Sequence, residues 1–124
     1  PLRYGLNNIV GQSFVEQNWV NTPGHSTMAS REPAIPTILI DNDRVRVTEW
    51  RFPPGSATGW HKHEMDYIVT PMTTGVLSIE ASDGTATDVN LVAGQPYFRQ
   101  IGVEHDVVNV NAFEFVFIET ELKL

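Results

Sequence analysis

From residue 37 onward, apolar positions fall in short runs of β-branched and aromatic residues separated by clusters of turn-forming residues. The first two runs, TILI and RVRVTEWRF, flank Asp41-Asn42-Asp43, whose side chains favour a hairpin turn. The runs HEMDYIVTPM, VLSIEA, TDVNLVA, QPYFRQ, HDVVNV and FEFVFIET follow, with turn signals at Pro53-Pro54-Gly55, Ser82-Asp83-Gly84, Ala93-Gly94 and Ile101-Gly102. No segment repeats apolar residues at helical spacing over three turns, so the pattern predicts an all-β chain. Within FEFVFIE, alternation puts Phe113, Phe115 and Phe117 on one face and Glu114, Val116 and Ile118 on the other. A strand with no wholly polar face is covered on both sides. About eight to ten short strands in a closed double-sheet jelly roll fit the length and leave few open edges. Phe52, Met65, Met72, Phe98 and the Phe113 to Phe117 stripe are the expected core, some of it lining an internal cavity.

Residues 1–36 are different in texture. Ile9, Val10, Phe14, Val15, Trp19 and Val20 lie among Asn, Gln, Pro and Gly without a sustained period, which reads as an extended arm (1–36) preceding a barrel domain (37–124). That arm carries too much apolar surface to leave in water, so it must pack on something. An arm crossing or lining the interface of a two-fold homodimer would also cover an exposed sheet edge.

Charge and composition narrow the partners. A formal net charge of −7, with eight scattered Lys and Arg, opposes binding to a phosphate backbone, so no nucleic-acid partner is expected. No apolar run approaches the ~20 residues of a membrane span, and PLRYGLNN lacks a signal-peptide layout, so no membrane partner and a cytoplasmic location are expected. There is no cysteine, which removes disulfides, thiolate ligands and cysteine nucleophiles together. Any metal site must be built from nitrogen and oxygen.

The candidate chemistry sits in GSATGWHKHEMDYIVTPMTTG, where two of the four histidines, His61 and His63, stand one residue apart. Strand alternation places them on one face about 7 Å apart at the backbone. By itself such a pair is often structural. His105, brought in on a neighbouring strand, would complete a cluster of imidazoles suited to a borderline divalent ion. Tyr67 shares the face of His61 and His63 if the strand runs unbroken that far. His25 reads as an exposed loop residue, and Glu64, Asp66 and Glu104 as solvated or structural charges.

These residues also resemble the two motifs of the cupins, G(x)5HxH(x)3–4E(x)6G and G(x)5PxG(x)2H(x)3N. Gly55, His61, His63 and Gly75 occupy the first, and Gly94, Gly102, His105 and Asn109 the second. Gln100 stands where the second motif has Pro, and the glutamate of the first is replaced by Tyr67 or Ile68, depending on which side one counts from. RVRVTEWRFPPG, GWHKH, VTPMTTG and GVEHDVVN are further similar to small single-domain cupins associated with β-alanine degradation. The resemblance implies a cupin double-stranded β-helix and a divalent transition metal (iron, zinc, nickel or manganese) held by His61, His63 and His105 without a carboxylate. Tyr67 is the candidate catalytic residue beside it, acting near the metal or on a ligand bound to it. Losing the carboxylate raises the site's net charge by one unit and favours anionic ligands. The function implied is metal-dependent, dioxygenase-like or otherwise oxidoreductive chemistry on a small organic acid or carbonyl compound. Non-oxidative isomerase or lyase chemistry, and ligand binding without turnover, are the alternatives.

Overall fold

A computed structural model of the chain describes residues 31–123. Among them are nine strands and no helix: β1 (Ile35–Asp41), β2 (Val45–Phe52), β3 (His61–Lys62), β4 (Asp66–Pro71), β5 (Gly75–Glu80), β6 (Ala86–Leu91), β7 (Tyr97–Arg99), β8 (Glu104–Asn109) and β9 (Phe115–Leu122). They form two antiparallel sheets, one ordered β1-β2-β9-β4-β7 and the other β3-β8-β5-β6. The all-β expectation holds. His25 and most of the arm lie outside the described residues. Of the remainder, Arg31 pairs with Glu80 at 2.7 Å and Ala34 donates to the Ala57 carbonyl at 2.8 Å, so the barrel engages the chain before residue 37.

The expected turns are built as their residues dictate. Asn42 Oδ1 accepts from the backbone amides of Arg44 and Val45, closing the β1–β2 hairpin, and Asp83 Oδ1 accepts from the amide of Thr85 between β5 and β6. Register then sorts side chains by face. In the five-stranded sheet the inward rows are Trp50–Phe117–Pro71, Thr48–Glu119–Val69–Tyr97 and Arg46–Glu121–Tyr67–Arg99. Phe52, Phe115 and Leu77 are almost completely buried, each worth roughly 1.5–3 kcal/mol relative to exposure. The Phe52 ring packs on Phe117 with centroids 5.4 Å apart. The outward row that crosses all five strands, Ile40–Val47–Thr120–Ile68–Phe98, is apolar apart from one threonine.

Three sequence expectations are corrected. The strand expected over HEMDYIVTPM is shorter than the run: only Asp66–Pro71 form β4, and His63–Met65 connect it to β3 in the other sheet. Phe113 is not part of the buried stripe: it precedes β9, is half exposed, and serves through its carbonyl, which accepts from Asn109 Nδ2 at 2.9 Å. Met72 and Phe98 are exposed rather than core, Met72 in the turn after β4 and Phe98 on the outward face of the edge strand β7.

Candidate metal centre

The two motif stretches are stitched together by backbone. Gly55 donates to the Asn109 carbonyl (3.0 Å), and Asn109 donates to the Ser56 carbonyl (2.9 Å). His61 pairs directly opposite His105 across β3 and β8. Beyond the end of β3, His63 donates to the Val103 carbonyl and accepts from the Gly102 amide, at 2.8 and 2.9 Å. Gly55 and Gly102 have φ of 80° and 101°, a backbone region that side-chain-bearing residues avoid, which is why glycine occupies these two motif positions. Gly75 is a different case, since a Cβ there would stand 2.9 Å from Asn111 Oδ1.

Asn109 is fully buried and acts as the knot. Its Nδ2 faces the carbonyls of Phe52 (3.0 Å), Pro53 (3.3 Å) and Phe113 (2.9 Å), while its Oδ1 accepts from the amide and the side chain of Asn111. Asn111 in turn donates to the Val76 carbonyl and accepts from its amide. The motif asparagine therefore holds the ends of β2, β5, β8 and β9 in place and does not touch the histidines.

Those strands deliver the imidazoles to one point. His61 Nε2 lies 3.0 Å from His63 Nε2, which lies 3.1 Å from His105 Nε2. His61 Nδ1 donates to the Gly59 carbonyl at 2.9 Å, leaving its Nε2 lone pair facing the other rings. Burial, with the neighbouring histidines adding to it, pushes His63 well below the usual histidine pKa, and burial followed by His61 does the same to His105. In the tautomers that aim their Nε2 lone pairs at this point the imidazoles repel one another, and a cation among them turns that repulsion into attraction. The donor set thus fits a divalent transition ion. His61, His63 and His105 are the group of potential ligands found among the described residues, and no carboxylate belongs to it.

A carboxylate is nevertheless near. Glu119, buried on β9, stands with Oε2 3.6 Å from His63 Nδ1, on the nitrogen opposite the point of convergence, and accepts from Trp50 Nε1 at 3.2 Å. It is placed beside His63 on the side away from the cluster and does not replace the missing ligand. Tyr67 arrives on the inward face, though not by an unbroken strand, and its ring stacks on His63 at a centroid distance of 3.8 Å with an interplanar angle of 13°. Burial, then the nearby Glu119, pushes its phenol well above the ordinary tyrosine range while Arg99 pulls it back, so Tyr67 is a hydrogen-bond donor at neutral pH and not a base. Asp66 is structural, its Oδ1 accepting from the Ile101 amide at 2.8 Å, and Glu64 and Glu104 are exposed. These groups open onto a cavity of about 250 Å³ lined also by Leu77, Val89, Tyr97 and Arg99.

Reading the sequence did not find Glu119, Trp50 or Arg99. The signal for Glu119 was available: continuing the alternation of Phe115 and Phe117 by one step puts this acid on the buried face.

Two sheets closed around three convergent histidines define a cupin, and this chain is one. It belongs to the family of the β-alanine degradation protein BauB of Pseudomonas aeruginosa, with which it is 53% identical over 96 residues, 77% of this chain and all of that protein. The crystal structure of a cupin domain from Bordetella pertussis is 56% identical, covers 77% of this chain and 98% of its own, and superposes with a TM-score of 0.74. A double-stranded β-helix protein from Klebsiella pneumoniae, 20% identical over 76% of this chain and 80% of its own, shares the fold with a TM-score of 0.62. No protein-family model matches the chain.

Acid is expected to destabilise the metal-free protein. The lowered pKa of His63 and His105 means that the unfolded chain binds more protons below about pH 6.5, so their contribution, complete above that value, is lost as pH falls. Asp106, held up to about 6 mainly by burial, works the other way: it binds its proton more tightly in the fold, and its contribution is lost as pH rises through 6. Two groups outweigh one. Chemical denaturation of metal-free protein should show stability falling from pH 7 to pH 5; a flat or rising profile contradicts this.

Proposed function

We propose that His61, His63 and His105 bind a divalent first-row transition ion, and that the site acts on a small organic acid or carbonyl compound in β-alanine degradation. The observation that carries this is the convergence of three Nε2 atoms in the cavity. Donors ~2.1 Å from one ion lie ~3.0 Å apart when they meet at right angles and ~3.4 Å apart at the tetrahedral angle. The spacings of 3.0 and 3.1 Å are those of donors that share one ion. A bound ion would supply Lewis acidity, and with iron or manganese also redox chemistry with dioxygen. The chain contributes an apolar, water-excluding wall from Leu77, Val89 and Val69, and a protonated Tyr67 to donate to a substrate oxygen. Metal analysis of purified protein, followed by an oxygen-uptake screen of β-amino and β-keto acids, tests the reading. Iron or manganese with substrate-dependent oxygen uptake supports oxidative chemistry; metal-dependent turnover without oxygen uptake moves it to isomerase or lyase chemistry. Protein that binds no transition metal overturns it.

We also propose a two-fold homodimer across the five-stranded sheet. Ile35 and Ile40, on the outward face of the edge strand β1, are 50 and 49% exposed, and the outward row from Ile40 to Phe98 extends this apolar surface over all five strands. The charges on that face, Arg51 with Glu49 (3.3 Å) and Glu114 (2.7 Å), neutralise one another. Two copies of an acidic chain can therefore meet there without opposing like charges. Sedimentation equilibrium should give a dimer at micromolar concentration and a monomer for Ile40→Lys; a wild-type monomer contradicts the proposal.

A further inference from the structure

We propose that Arg99 and Tyr67 form a carboxylate subsite, and that the cavity takes a short bifunctional acid with its carboxylate on this pair and its second polar group directed at the histidines. This rests on the site reading above and adds the recognition element to it.

The register makes the pair. Tyr67 and Arg99 are direct partners across β4 and β7, at the end of the inward row Arg46–Glu121–Tyr67–Arg99, and both line the cavity. Tyr67 is 2% exposed, and its hydroxyl is buried with the Arg99 side chain as a polar neighbour and no well-formed hydrogen bond. A buried hydroxyl without a well-formed hydrogen bond is unfavourable, and a ligand oxygen at this spot would supply the acceptor it lacks. Arg99, its cross-strand partner, is exposed and forms no salt bridge among the described residues. The acids of the same wall are otherwise engaged: Glu121 with Arg46 at 3.5 Å, Glu119 with Trp50 and His63. A guanidinium offers a planar fork of N–H donors that matches a carboxylate, and the phenol adds a further donor.

The same geometry limits length. The Tyr67 ring that would hold one end of the ligand is stacked on the ring of His63, so the two ends of the ligand are separated by little more than one side chain. The cavity of about 250 Å³ lies below the usual range for drug-sized ligands, and apart from the engaged acids Glu119 and Glu121 its inner wall is largely apolar, with Val69, Leu77, Val89 and Leu91. A short acid carrying a hydroxyl, carbonyl or amino group at its far end fits; a long or branched one does not.

The test compares 3-hydroxypropanoate with 3-hydroxypropanamide, which differ in the charge of one end. Each is titrated into metal-free protein carrying Trp60→Phe and Trp19→Phe, followed by the fluorescence of Trp50 in the cavity wall, and into Co(II)-loaded protein, followed by the visible spectrum. Wild type should prefer the acid by at least ~10-fold. Arg99→Gln should abolish the preference, Arg99→Lys restore part of it, and Tyr67→Phe weaken acid binding several-fold, with melting temperature and Co(II) affinity unchanged in the Arg99 variants. A preference that persists in Arg99→Gln, or an absence of acid binding to both forms of wild type, overturns the subsite. If Co(II) fails to bind while the Arg99-dependent preference remains, the metal reading falls and the subsite stands. If Co(II) binds and the preference ignores Arg99, the reverse holds.

Discussion

Replacing His63 by alanine is expected to lower affinity for Co(II) or Fe(II) by ~100-fold or more while leaving the barrel folded. His63 is the middle member of the cluster, with its Nε2 within 3.1 Å of both other Nε2 atoms, so its loss leaves two donors separated by a gap. A tridentate site reduced to two ligands loses more than the 10–100-fold that accompanies loss of a supporting outer contact. The fold has reason to survive. The backbone bonds of His63 to Gly102 and Val103 do not involve its side chain, and the fully buried Phe52 and Phe115 lie outside the cavity lining. His105→Ala should behave alike, whereas His25→Ala should leave metal binding intact. Titration calorimetry with a parallel thermal melt checks this; unchanged metal affinity in His63→Ala refutes the ligand assignment.

Asn109→Ala should show the opposite pattern, with a large loss of stability and a metal site damaged only through the fold. The substitution strips donors from the carbonyls of Phe52, Pro53 and Phe113 and the acceptor from Asn111, all in a region where Asn109 itself is fully buried. Each buried group left unsatisfied costs about 1–3 kcal/mol. Relaxation and water entry recover part of that, so a net loss of ~3 kcal/mol is expected, lowering the melting temperature by ~10 °C or more. Asn109→Asp keeps the acceptor for Asn111 and loses the amide donors, so it too should be destabilised. A melt within 2–3 °C of wild type for either variant, as for an ordinary surface substitution, would show that the knot carries little.

The contrast between these two residues explains what could be read from the chain and what could not. Turn chemistry is local: Asn42 and Asp83 close their turns with their own side chains, so the hairpins were visible in three or four letters. The histidine cluster was visible because its spacing is set by one strand pairing, His61 opposite His105, which any chain with this topology must respect. The motif asparagine was visible as a letter but not as a role, since its partners come from residues 52, 53, 111 and 113 and are known only after folding. Phe113 and Phe98 misled for a related reason. Alternation says that two residues share a face without saying where a strand begins or which face looks inward, and Phe113 falls two residues before β9 while Phe98 sits on the outward face of an edge. Arg99 and Tyr67, thirty-two positions apart, became neighbours only through the β4–β7 register.

The most direct test of the account is the anomalous-scattering map of a crystal of the protein loaded with Co(II) or Fe(II). One ion should appear ~2.0–2.2 Å from the Nε2 atoms of His61, His63 and His105, with Glu119 remaining on the far side of His63 and no protein carboxylate bound to the metal. An ion ligated by Glu119, or one found anywhere other than among the three imidazoles, would contradict it.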